Sequence, residues 1–230
     1  MFPYALDPMR RPGALHASGR SARTGSLLAA LAAVTVLTGC MTGERPSLGT
    51  APTAAGTETG DANVDTVLAL LDSVSTAVFT AQYNATVRFG GTVTPVRATQ
   101  SAPDRRSVTV GDVRYITDAS GSRTCTVSTS SCADGTNPQP ISNTGVTTDL
   151  VFGDVAKRLR RFAGSRVGAT TLTQSTIAGQ AATCVDLPVG TGVSTYCALD
   201  NGVLARLVDG DVTVEMTSYV ASADDTLFTP

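Results

Sequence analysis

From residue 64 onward the apolar positions Val64, Val67, Leu68, Leu71, Val74 and Val78 recur at the three-to-four spacing of a single helix face. Asn63 suits the N-cap and Asp65 suits the positive end of the helix dipole, so a helix is expected over 64–79. The period then drops to two. In QYNATVRF, Tyr83, Ala85, Val87 and Phe89 alternate with Gln82, Asn84, Thr86 and Arg88, the pattern of a half-buried strand. Gly90-Gly91 turns the chain into TVTPVRAT, where Pro95 predicts an edge or a bulge. In SVTVGDVRYI a two-residue turn at Gly111-Asp112 makes a hairpin, and a turn at Ser128-Thr129 makes another in TCTVSTSSCA.

Residues 133–146 read as a polar loop. In TTDLVFGDVAKRLRRFAG, Leu150 or Val151, Val155, Leu159 and Phe162 share one face. Thr148 caps that segment, Asp149 opens it, Lys157 to Arg161 lie in its last turns and Gly164 stops it, which predicts a second helix. From Thr170 the chain reads as a meander. TTLTQSTI, AATCVDL, STYCAL, VLARLV and TVEMTSYV are separated by turns at Ala178-Gly179, Gly190-Thr191, Asp200-Asn201-Gly202 and Asp209-Gly210-Asp211. Helix, antiparallel strands, helix, antiparallel strands is an α+β order: one large sheet with helices on one face.

The leader has a different pattern. Residues 27–38 are apolar for about twelve residues, against roughly 20 for a membrane-spanning helix. They follow Arg10, Arg11, Arg20 and Arg23, as in a secretory signal, with Met1 or Met9 as the start. The run ends in Leu37-Thr38-Gly39-Cys40, which resembles the lipobox of bacterial lipoproteins. That resemblance implies cleavage before Cys40 and a diacylglycerol on its thiol, and two or more acyl chains anchor stably where one does not. Three segments are therefore expected: a lipoprotein signal peptide over 1–39, a lipidated N-terminus and flexible linker over 40–62, and a folded domain over 63–230. The implied location is the extracytoplasmic face of a cell membrane.

Without the leader's four arginines and Asp7, 13 of the 17 basic and 18 of the 19 acidic residues remain, a net charge of −5. That balance points away from nucleic acid. Four cysteines remain after Cys40, and an exported chain with an even number suggests two disulfides. Three pairings are possible. Cys125–Cys132 and Cys184–Cys197 are favoured because each closes a single hairpin, the second placed in register by the turn at Gly190-Thr191.

The stretches QYNATVRF, VTVGDVRYI and IAGQAATCVDLPVGTGVSTYCALDNGVLARL, with the closing LFTP, resemble in their layout the LolA-like superfamily of cell-envelope carriers, which includes the LppX and LprG lipoproteins. The resemblance implies an incomplete antiparallel β-barrel whose helices cover the concave face. It implies an apolar cavity for an acylated lipid or glycolipid, and an envelope transporter as a partner. The two disulfides are not a feature of the general family. Val67, Leu71, Tyr83, Val87, Phe89, Val155, Leu159 and Leu207 are the expected lining. Lys157, Arg158, Arg160 and Arg161 are either an ordinary basic helix C-terminus or a patch that meets anionic headgroups. The expected function is a tethered lipoprotein that binds and transfers lipid. The competing reading is a non-enzymatic envelope interaction module whose core is filled.

Catalytic chemistry finds few candidates. The single histidine, His16, lies in the leader, so the rest of the chain offers no histidine base or metal ligand. GxxxxGK and GxGxxG are absent and no cofactor is expected. Asp186, Asp200, Asp209 and Asp211 could supply a glycosidase carboxylate pair or a calcium site, but three of them sit in turns, where aspartate is ordinary.

Overall fold

The computed structural model describes residues 54–102, 104–190 and 192–230. The elements run α1 (Ala62–Asp72), β1 (Phe79–Val87), β2 (Val93–Ser101), β3 (Arg105–Val110), β4 (Val113–Asp118), β5 (Gly121–Thr126), β6 (Ser131–Asp134), α2 (Asp154–Ala163), β7 (Thr171–Ile177), β8 (Gln180–Val189), β9 (Gly192–Leu199), β10 (Leu204–Val208) and β11 (Val212–Val220). All eleven strands belong to one antiparallel sheet, ordered β6-β5-β4-β3-β2-β1-β11-β10-β9-β8-β7. Two meanders are joined where β1 pairs with β11. The sheet does not close, because β6 and β7 form its two edges although they are consecutive strands in the chain. The fold is thus α+β, an incomplete antiparallel barrel with two α-helices among the described residues.

The register explains the core. Val185, Tyr196, Leu207, Val214 and Ala85 lie opposite one another across five adjacent strands, and each is 0% exposed. Tyr83 and Ala81 continue the same face of β1, opposite Met216 and Tyr219, with an irregularity in register between Gln82 and Tyr83. Such a bulge sharpens local twist and helps an open sheet curl. On α1, Val64, Val67, Leu68 and Leu71 are buried, as the helical spacing requires. On α2, Val155, Ala156, Leu159 and Ala163 are buried. Both helices join one hydrophobic core with the strands.

Helix boundaries differ from the sequence expectation. Asp61, not Asn63, is the N-cap of α1, its carboxylate accepting the N–H groups of Asn63 and Val64. Asn63 instead donates to the Thr170 carbonyl at 3.1 Å. The helix ends at Asp72, a 3₁₀ turn over Ser73–Thr76 follows, and Phe79 begins β1 rather than ending the helix. The second helix is split: Leu150–Phe152 form a 3₁₀ turn, Gly153 interrupts it, and α2 starts at Asp154 rather than after Thr148. Pro95 lies inside β2, in the middle of the sheet. Pairing of β2 with β3 starts only at Val96, so no β3 residue stands opposite the missing N–H.

Both expected disulfides are present, Cys125–Cys132 and Cys184–Cys197. The C-terminal residues pack against β1–β4. The Asp224 N–H donates to Thr80 Oγ1 and Thr99 Oγ1, and its carboxylate pairs with Arg97 at 2.8 Å. Arg114 donates to the Thr229 carbonyl, and the Arg105 guanidinium lies 4.2 Å from the Phe228 ring centre.

Candidate functional site

Of the eight residues expected to line a cavity, six are buried. Val67, Leu159 and Leu207 are 0% exposed, and Leu71, Tyr83 and Val155 are at 2% or less. All six belong to the single packed core. Tilted aromatic pairs, Phe79 with Phe152 and Phe162 with Tyr196, help occupy the interior. Val87 is half-buried at the end of β1. Phe89 departs from its expected place. The strand ends at Val87, and Phe89 stands 97% exposed in the turn that follows. The alternation that marked it as inward stops two residues earlier.

The described cavities lie elsewhere. One of about 240 Å³ sits at β3–β5 beneath residues 148–152, among Arg106, Tyr115, Thr117, Asp149 and Phe152. Others of about 380 and 330 Å³ follow the loop at 131–148. These are open to solvent, and of the eight expected lining residues Tyr83 borders a further open groove of about 230 Å³. Arg106 was not singled out from the sequence. It pairs with Asp149 at 3.0 Å and lies over Phe152, a placement that depends on contacts remote in the chain.

The basic cluster on α2 is largely neutralised. Arg160 is buried at 1% exposure. It pairs with Asp72 and donates from Nε to the Thr57 carbonyl at 3.1 Å. A buried guanidinium cannot meet a headgroup, so Arg160 leaves the set of expected headgroup residues. Lys157 pairs with Asp154 at 3.0 Å. Arg158 Nε lies 3.1 Å from Asp209 Oδ2, close enough for charge pairing though not aligned for a hydrogen bond, and Oδ2 has no hydrogen-bond partner among the described residues. Arg161 is exposed, with no carboxylate within 4.0 Å among the described residues. The Arg160 contacts also tie residues 56–59 to the helices: Gly56 N–H donates to Asp72, and Thr59 donates to Asp65 through N–H and hydroxyl. The end of the expected linker is therefore docked on the domain. Cys40 and His16 lie outside the described residues.

Titratable groups follow from their surroundings. Burial raises the Tyr83 phenol far above its ordinary value, and the nearby Tyr219 adds to this. Burial and then the Asp209 charge do the same to Tyr196, opposed by Arg158 and Arg161. Neither hydroxyl has a partner among the described residues. Asp209 accepts the N–H groups of Asp211 and Val212 and so closes the β10–β11 turn, while Asp186 accepts the Thr195 hydroxyl. Among the described residues no group of three or more His, Cys, Asp or Glu is placed to hold a metal, and no helix is long and apolar enough to cross a membrane.

The sheet has two edges, β6 and β7. At one edge β6 is four residues long, ends in Asp134 and is tied to β5 by Cys125–Cys132. At the other, β7 (TLTQSTI) runs seven residues without a charge, and is exposed over Thr171–Gln174 and again at Thr176. Short or charged edges resist pairing, whereas long uncharged ones invite it.

No protein-family model matches the chain, and no curated protein matches it. Solved structures do. MucB in complex with MucA(peri) is 12% identical with a TM-score of 0.45, over 71% of this chain and 58% of that chain. The MucA/MucB complex of Pseudomonas aeruginosa is 14% identical at 0.46, over 72% and 60%. A LolA superfamily protein, NE2245 from Nitrosomonas europaea, is 9% identical at 0.35, over 71% and 97%. The chain thus spans less than two thirds of the MucB chains.

Proposed function

We propose that this chain is a membrane-tethered, non-catalytic binding module of the cell envelope that engages a protein partner at its surface. The observation that carries this reading is the burial of the interior side chains in one cluster, which supports a filled core. The row Val185–Tyr196–Leu207–Val214–Ala85 and the helix residues Val67, Leu71, Val155 and Leu159 are packed into one core, at exposures of 2% or less. The lipid-carrier reading needs empty apolar space at those side chains, and the grooves described above are open and lined by none of them. The tether rests on the leader pattern that ends at Cys40.

Native and denaturing mass spectrometry of the full chain, purified from membranes of its own host, tests both parts. The expected denatured mass is that of a chain starting at a diacylglycerol-bearing Cys40, with no further mass retained under native conditions. A lipid bound non-covalently at one per chain would overturn the filled-interior reading. An unmodified Cys40 would remove the tether.

A further inference from the structure

The orientation of the β7 backbone can be read from its neighbours. Cys184 and Cys197 face each other with Cα atoms 4.0 Å apart. That is the close spacing of an antiparallel pair that does not exchange backbone hydrogen bonds, about 4.5 Å against about 5.5 Å for a pair that does. The N–H and C=O of Cys184 therefore turn away from β9 and toward β7, where Thr173 is its partner. Pro188 agrees independently. It is four residues on, in the same phase, and its carbonyl accepts the N–H of Val167 on the β7 side at 2.9 Å.

Thr171, Thr173, Ser175 and Ile177 thus spend their backbone groups on β8, and Leu172, Gln174 and Thr176 aim theirs outward. The preceding outward carbonyl, that of Thr170, is taken by Asn63. No backbone partner on that side reaches Leu172, Gln174 or Thr176 among the described residues.

We propose that this edge is a strand-pairing site for a second copy of the same chain, β7 against β7 about a two-fold axis through Gln174. This deepens the binding-module reading and rests on it for the protein's being a binder at all. The three residues with free groups are symmetric about Gln174: Gln174 meets its own copy, and Leu172 meets Thr176 in both directions. Each such pair exchanges two backbone bonds, so about six form, and all three free residues are used. The strand carries no charge, so the two-fold brings no like charges together. Isologous contact of this kind closes on itself and stops at a dimer. Copies tethered in one membrane would meet at raised effective concentration. The opposite edge, short and stapled, offers no equivalent.

The full chain is tested in its native membrane by cysteine crosslinking read on non-reducing gels. Gln174→Cys should give a dimer band at least tenfold stronger than Leu172→Cys or Thr176→Cys alone, and co-expressed Leu172→Cys and Thr176→Cys should restore it. Gln174→Pro removes the outward N–H and also the side-chain hydrogen bond to Thr183, which Gln174→Ala loses while keeping the N–H, so the two variants should unfold at similar temperatures while only Gln174→Pro abolishes the dimer in detergent-solubilised sedimentation. Equal crosslinking at all three positions, a dimer that survives Gln174→Pro, or a parent that stays monomeric overturns the proposal. Retained lipid in the mass measurement above would instead strike the filled-interior reading and leave the crosslinking pattern as it stands.

Discussion

Arg160 is the largest of the fully buried side chains, and it is charged. It is held there by Asp72 and by the Thr57 carbonyl, so one guanidinium joins α2, α1 and the segment before α1. Breaking a buried pair by removing one partner costs roughly 3–5 kcal/mol, because the other charge is left desolvated. Asp72 keeps 19% side-chain exposure, which sets Arg160→Ala at the lower end, about 3 kcal/mol, as urea denaturation will measure. Asp61 and Asp154 are among the carboxylates that link stability to pH. Burial pushes Asp61 up, but hydrogen bonds from Thr170, Val64 and Asn63 with the Arg166 charge hold it below its ordinary value. Asp154 is likewise pushed up by burial and brought down further by Thr147, Lys157 and Arg106. A folded-state value below the unfolded one stabilises at pH above the ordinary carboxylate value and is lost as pH falls through it. Stability should therefore be steady near neutrality and decline below about pH 4. Asp61→Asn should make that decline shallower in acid titrations followed by circular dichroism.

At the scale of elements, the strands and hairpins were legible and the helix ends were not. Strand alternation is written locally, and the turns at Gly111-Asp112 and Ala178-Gly179 lie where glycine and its neighbours marked them. The start of α1 was expected at an Asn63 cap, and Asp61 caps it instead because of contacts made at a distance: Thr170 takes Asn63 by its side-chain amide and donates its hydroxyl to Asp61. The end of α1 was equally non-local. Gly202, in the β9–β10 turn, has φ +83, and a Cβ there would fall 2.3 Å from the Leu70 carbonyl oxygen. Gly202→Ala should cost more than the ~1 kcal/mol expected for an alanine at positive φ with room around it. Gly179, at φ +76 with nothing within 4 Å, supplies that control. Thermal melts of the two variants separate backbone strain from the clash.

At the scale of the whole molecule, the sequence showed two meanders and two helices but not the β1–β11 seam that makes them one sheet. Tyr83 opposite Met216 is a contact between distant parts of the chain that no local pattern encodes. Nor could alternation tell a filled core from a cavity, since Val, Ala and Leu face inward in both. The helix face of Val67 and Leu71 and the row through Leu207 belong to one buried core, which is what favours the filled reading. Leu207→Trp tests that claim most directly. In a full interior the added volume should cost about 1–3 kcal/mol of unfolding free energy. An unchanged denaturation midpoint would contradict the account and show that room for a ligand exists beside Leu207.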